Sequence, residues 1–195
     1  LVSGGQGSYT FAWSGTGTGV VVGDTNQSGL SQGVYTVIVT DLVASCAATA
    51  SFTVGEPTAL NLTTASVDAN CFGGTDGSID ASITGGTTPY AYTWTTVGGS
   101  GINVGFEDQF TLTAASYTIQ VVDAKGCMIS ASDVVGEPTD VVVTSVPTDV
   151  LCYGDNTGTI SLTVVGGTPT YTYQWYDQNG SLTSNTAQNA SGLYA

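Results

Sequence analysis

Apolar residues alternate with polar ones along most of the chain, at the period of two that suits half-buried strands. Ile79, Ala81 and Ile83 alternate with Ser78, Asp80 and Ser82, and Ile160, Leu162 and Val164 repeat the pattern further on. Tyr90, Tyr92 and Trp94 predict a second strand, echoed by Tyr9, Phe11 and Trp13 and by Tyr171, Tyr173 and Trp175. Another strand is predicted at Tyr117, Ile119 and Val121, and at Tyr35, Val37 and Val39, ended by Asp123 or Asp41. The last runs through Cys46, Ala48, Ala50, Phe52 and Val54, and more loosely from Cys127 to Val135. Between them stand turns at Gly73–Gly77, Gly85-Gly86, Gly98-Gly99 and Ala124-Lys125-Gly126, built from residues that tolerate positive φ. About seven short strands per copy, with turn signals every 8–12 residues, predict an all-β antiparallel sandwich.

The pattern repeats. Trp13, Trp94 and Trp175 are 81 residues apart, and Tyr9/Tyr90/Tyr171, Cys46/Cys127, Cys71/Cys152, Glu56/Glu137 and Leu112/Leu193 keep that spacing. Such a period matches a whole small domain with its own core. The expected organisation is the C-terminal part of one repeat at 1–57, a complete repeat at 58–138, and the N-terminal part of a third at 139–195. Both ends are expected to be cuts within an array, so a leader or anchor is not expected here. Glu56-Pro57-Thr58 and Glu137-Pro138-Thr139 mark the junctions, where proline interrupts any continuous ladder. With no Gly/Ser spacer, successive copies are expected to form a semi-rigid rod.

An immunoglobulin-like sandwich is favoured over a barrel. Leu30–Tyr35 and Leu112–Tyr117 put a tyrosine at the head of the penultimate strand, the place of a tyrosine corner, and Trp94 falls on the third strand pointing inward. These aromatics read as core, not as ligand-stacking groups. Ala115 stands where the first copy has Gly33, which implies a slightly different corner.

Charge narrows the function. One Lys, no Arg, no His and 15 acidic residues give a net charge of −14. Nucleic acid is excluded as a partner, since phosphates need clustered Lys and Arg, and attraction to anionic membranes is weakened. No apolar run approaches the ~18 residues that span a bilayer, so no membrane insertion is expected of this segment. Without histidine there is no Ser-His-Asp or Cys-His site and no imidazole metal ligand. Lys125 sits in a turn with no counterpart in the first copy, and the carboxylates lie mostly in turns, so no catalytic residue is expected.

Taken together, Cys71-Phe-Gly-Gly-Thr-Asp-Gly-Ser-Ile79, Gly85-Gly-Thr-Thr-Pro-Tyr-Ala-Tyr-Thr-Trp94, the Leu-x-x-Gly-x-Tyr at Leu30–Tyr35, Asp123-Ala-Lys-Gly-Cys127 and the closing Glu-Pro resemble the SprB repeat of giant cell-surface proteins of gliding Bacteroidetes. The resemblance implies an outer-surface adhesin exported by type IX secretion, with the repeats as stalk or filament and no catalytic residues. It implies an extracellular location, with neighbouring repeats as first partners and surface polysaccharide or another adhesin chain as further ones. A carbohydrate- or matrix-binding module, or the non-catalytic stalk of a secreted polysaccharide-degrading enzyme, is the alternative.

In an exported protein, one early and one late cysteine per copy read as a disulfide, Cys71 to Cys127. A strict immunoglobulin strand order puts the first and last turns at opposite poles, so pairing across a junction and free thiols stay open beside it. Neither a cofactor nor a zinc site is expected. Structural calcium on the recurring acids Asp41/Asp123, Glu56/Glu137 and Asp68/Asp149 stands against ordinary turn aspartates and a solvated junction glutamate.

Overall fold

The computed structural model describes residues 3–5 and 7–193. The chain divides into two compact units, Leu1–Thr58 and Ala59–Ala195, and the second holds the complete copy together with the partial one that follows it.

The complete copy consists of six strands, β4 (Asn61–Val67), β5 (Gly77–Thr84), β6 (Ala91–Val97), β7 (Gln109–Leu112), β8 (Ala115–Val122) and β9 (Met128–Val135). They form two antiparallel sheets, ordered β4-β5-β7 and β6-β8-β9. This is the A-B-E and C-F-G pairing of an immunoglobulin-type sandwich, as the tyrosine and tryptophan placements predict. In the first unit, β1 (Tyr9–Gly15), β2 (Gly33–Asp41) and β3 (Ala47–Val54) form one sheet, the counterpart of β6-β8-β9. In the last copy, β10 (Val142–Thr148), β11 (Gly158–Val165) and β12 (Ala190–Leu193) form the counterpart of β4-β5-β7.

The expected seventh strand is missing from the complete copy. The chain between β6 and β7 is a loop, and its sequence explains why: Gly98, Gly101 and Gly105 all take positive φ, which an extended ladder cannot accommodate. The loop is fixed by side chains. Gln109 is fully buried and accepts from the Asn103 amide at 2.6 Å while its own amide donates to the Asn103 carbonyl at 2.9 Å. Trp94 donates its indole N–H to the Phe106 carbonyl at 3.0 Å, and Trp13 and Trp175 donate likewise to Asp24 and Ala187.

The core belongs to the copy alone. Ile79, Ala81 and Leu112 from one sheet pack with Trp94, Tyr117, Ile119, Val121 and Val135 from the other. Strand β8 lies between β6 and β9, and its inward residues Tyr117, Ile119 and Val121 are wholly buried. Each large apolar side chain removed from water in this way contributes about 1.5–3 kcal/mol. Gly77 occurs where β5 passes closest to this core: a Cβ there would meet Val135 and lie 3.0 Å from the Leu112 carbonyl.

Two tyrosine hydroxyls fasten each of the first two copies. Tyr117 shares its proton between the Thr113 carbonyl at 2.8 Å and the Ser100 carbonyl at 2.9 Å, and Tyr35 does the same with Ser31 and Thr18. The corner is thus alike in both copies, whether Gly33 or Ala115 opens the strand. The second fastening was not expected from alternation. Tyr9, Tyr90 and Tyr171 each donate to the first glycine of the Gly-Gly turn five residues before, at Gly4, Gly85 and Gly166.

Replacing Tyr117 by Phe leaves two carbonyls without their donor, at an expected cost of about 1–3 kcal/mol. Gln120→Thr, on the exposed outer face of the same strand, should change stability by no more than about 0.5 kcal/mol. Denaturant unfolding of the two variants distinguishes the cases, and equal losses would remove the tyrosine corner from the account.

Candidate functional site

The chemistry-bearing residues of the complete copy gather at its two poles. At one, the turn from β8 to β9 wraps around Asp123. The Asp123 carboxylate accepts from the backbone amides of Lys125 and Cys127 at 2.8 Å each and from Thr87 at 2.9 Å. The Ala124 amide returns a bond to the Thr87 carbonyl at 2.8 Å, which ties the turn to the Gly85-Gly86 bend. Gly86 is required here, with φ of +61° and a Cβ position only 3.0 Å from the carboxylate. Burial alone would raise the pKa of Asp123, but the amides of Cys127, Thr87 and Lys125 outweigh it and hold the carboxyl below its ordinary value. In the first unit Asp41 accepts from Val43 and Ala44 in the equivalent, longer turn.

At the other pole, the loop from β4 to β5 closes against the end of β9. The Ala69 amide donates to the Gly136 carbonyl at 2.9 Å, and the Gly136 amide donates to Asp68 at 2.7 Å. Glu137 reaches back to accept from the Gly73 amide at 2.6 Å. Within the loop, Asn70 donates both its side-chain and backbone N–H to Asp76, and these bonds hold the Asp76 carboxyl below its ordinary value. On the far side of Pro138, the Thr139 carbonyl accepts from the Gly167 amide at 2.7 Å. The junction between the second and third copies is therefore held on both sides of its proline.

Of the recurring acids considered for calcium, Asp41, Asp123, Asp68 and Glu137 accept backbone N–H donors of the turns and loops around them. Among the described residues, no group of three or more His, Cys, Asp or Glu side chains is set to hold a metal ion.

The expected Cys71–Cys127 bridge is not made. Cys71 sits in the loop closed by Gly136, whereas Cys127 immediately precedes Met128 at the opposite end of β9. The length of that strand, roughly 25 Å at ~3.3 Å per residue, separates the two, against the ~5.5 Å between Cα atoms that a disulfide needs. All four cysteines are exposed free thiols.

Tyr153, Tyr176 and Phe106 are exposed, as the inward alternation of the other aromatics leaves them. A further pair has a plain signature in the sequence. Phe72 and Tyr153, each directly after an early cysteine and one period apart, are both exposed. Phe72 lines a cavity with Cys71, Val141, Thr168 and Tyr171, so it faces the next copy.

The depressed pKa values fix the sign of the acid response. A carboxylate whose folded pKa lies below its ordinary value of 3.8 contributes stability that is fully present above that value and lost as pH falls through the lower folded one. Unfolding midpoints followed from neutral pH down to about pH 2 should fall most steeply below the ordinary aspartate range. Asp123→Asn should be less stable at neutral pH and show a shallower acid decline; an unchanged slope would remove Asp123 as a contributor.

No curated protein and no solved structure matches the chain. The family model for the SprB repeat matches at residues 63–99 and again at 144–183, spanning β4 through β6 of the complete copy and β10, β11 and the Trp175 segment of the next. The two matches begin one period apart and carry the same turns, Trp and Tyr latches; these segments are SprB repeats.

Proposed function

We propose that the chain is a structural and adhesive segment of a large bacterial cell-surface filament, working in attachment or gliding movement. It lies outside the cell, carries load between neighbouring repeats, and does no chemistry. The observation that carries this reading is the junction. A passive linker between independent binding modules has no need of fixed backbone, yet Glu137 and Thr139 are hydrogen-bonded to Gly73 and Gly167 on either side of Pro138. The proline restricts φ between them. SprB repeats at 63–99 and 144–183 support a surface protein built by repetition. The complete copy has its own core, so each copy of an array should unfold under load as a separate unit.

Hydrogen exchange on the full chain tests the stiff junction. The Gly73 and Gly167 amides should be protected, and Glu137→Ala should expose Gly73 while leaving the amides of β8 unchanged. Fast exchange at Gly73 in the unaltered chain would show a loose linker. Saturable binding of the chain to one defined polysaccharide would move the assignment to a binding module.

A further inference from the structure

The cysteines that cannot meet within a copy are surrounded by the same landmarks. In the first unit a surface cavity is lined by Gly4, Gly5, Tyr9, Asp41 and Cys46. In the second, a cavity is lined by Cys71, Phe72, Val141, Gly167 and Tyr171. Gly5 and Gly167 are the second glycines of Gly-Gly turns two periods apart, and Tyr9 and Tyr171 are the tyrosines latched to the first glycines of those turns. Both cavities therefore mark the same end of a copy. One contains that copy's own late cysteine, and the other contains the early cysteine of the copy before it.

The complete copy supplies the link between the two views. Its late-cysteine turn is bound to Thr87 through both the Asp123 carboxylate and the Ala124 amide. Thr168, one period after Thr87, lines the cavity that holds Cys71. A late-cysteine turn built on Thr168 as it is on Thr87 would place its thiol against Cys71.

We propose that the early cysteine of each copy forms a disulfide with the late cysteine of the copy that follows it. Successive copies are then joined by a side-chain bond as well as by the Glu-Pro backbone. The partner of Cys71 falls one period beyond Cys127, past Ala195, and the partner of Cys127 by the same rule would precede Leu1. Cys46 and Cys152 stand likewise, so four free thiols are what the rule requires of residues 1–195. In the reaction the two thiols give up two protons and two electrons to the disulfide of a thiol–disulfide oxidoreductase. A thiolate attacks, a mixed disulfide forms, and the second thiolate releases the enzyme as its dithiol. The oxidising compartment this needs rests on the cell-surface reading, whereas the geometry does not.

The test extends the full chain after Ala195 with a second copy of residues 115–138, which completes the third repeat and supplies its late cysteine, and which carries Gln120→Thr so that the added cysteine's peptide differs in mass from that of Cys127. Oxidised glutathione replaces the enzyme, so the outcome is independent of where the protein resides. Chymotryptic peptides mapped without reduction should link Cys71 to the added cysteine, while the unextended chain keeps all four thiols alkylatable. A Cys71–Cys127 link, or an added cysteine left free in a protease-resistant third repeat, would overturn the proposal. If the extension does not fold, Thr168→Cys in the unextended chain gives a second reading. That side chain lines the cavity with Cys71 and should bridge to it, and two alkylatable thiols there would count against the proposal.

Discussion

The burial of the inward face of β8 is the constraint on which the complete copy depends. Tyr117, Ile119 and Val121 lie under Ile79 and Leu112 of the facing sheet. With few charges to spare, the copy fixes its remaining backbone by hydrogen bonds from a few well-placed side chains. The Tyr117 hydroxyl holds the strand entry, the Trp94 indole and Gln109 hold the long loop, and the Tyr90 hydroxyl holds the Gly-Gly bend. Each bond has its acceptor carbonyl in a segment without regular structure, which is where the ladder cannot satisfy it.

The acids complete this scheme at the poles. Asp123, Asp68, Asp76 and Glu137 all accept turn amides, so the negative charge of the chain is partly a set of turn-forming acceptors. The outer faces of the sheets are left to hydroxyls. Thr118 pairs with Ser132 at 2.8 Å, and Thr36 with Ser51 at 2.9 Å, across neighbouring strands. Such faces hold water without the charge pairs that a chain with one lysine cannot form.

Much of this was legible in the sequence because the alternation of large apolar residues is strong in β5, β6 and β8. Strand β4 was harder to see, since Leu62 shares its inward face with Thr64 and Ser66 and offers little contrast to Asn61, Thr63 and Ala65 on the other. Strand β7 has four residues, too few for a period to show. Periodicity also placed Tyr90 among core residues without revealing that its hydroxyl serves a carbonyl. The cysteine pairing failed for a different reason: spacing along the chain says nothing about which pole a turn occupies, and only the strand order places Cys71 and Cys127 a full strand apart. Glu137 was read as a solvated junction residue because its donor, Gly73, lies 64 residues back.

The turn around Asp123 has one more consequence. Lys125 is the only basic residue in the chain, so a protease that cleaves after Lys or Arg has a single bond to attack, Lys125–Gly126. That bond is exposed, but it is closed into a tight loop by the Lys125 and Cys127 amides on the carboxylate and by the Gly126 amide on the Asp123 carbonyl at 3.0 Å. A protease cleft takes its substrate as an extended strand, and this loop cannot extend without first releasing Asp123. The same turn that shapes the pole therefore shields the one place where trypsin-like enzymes could cut.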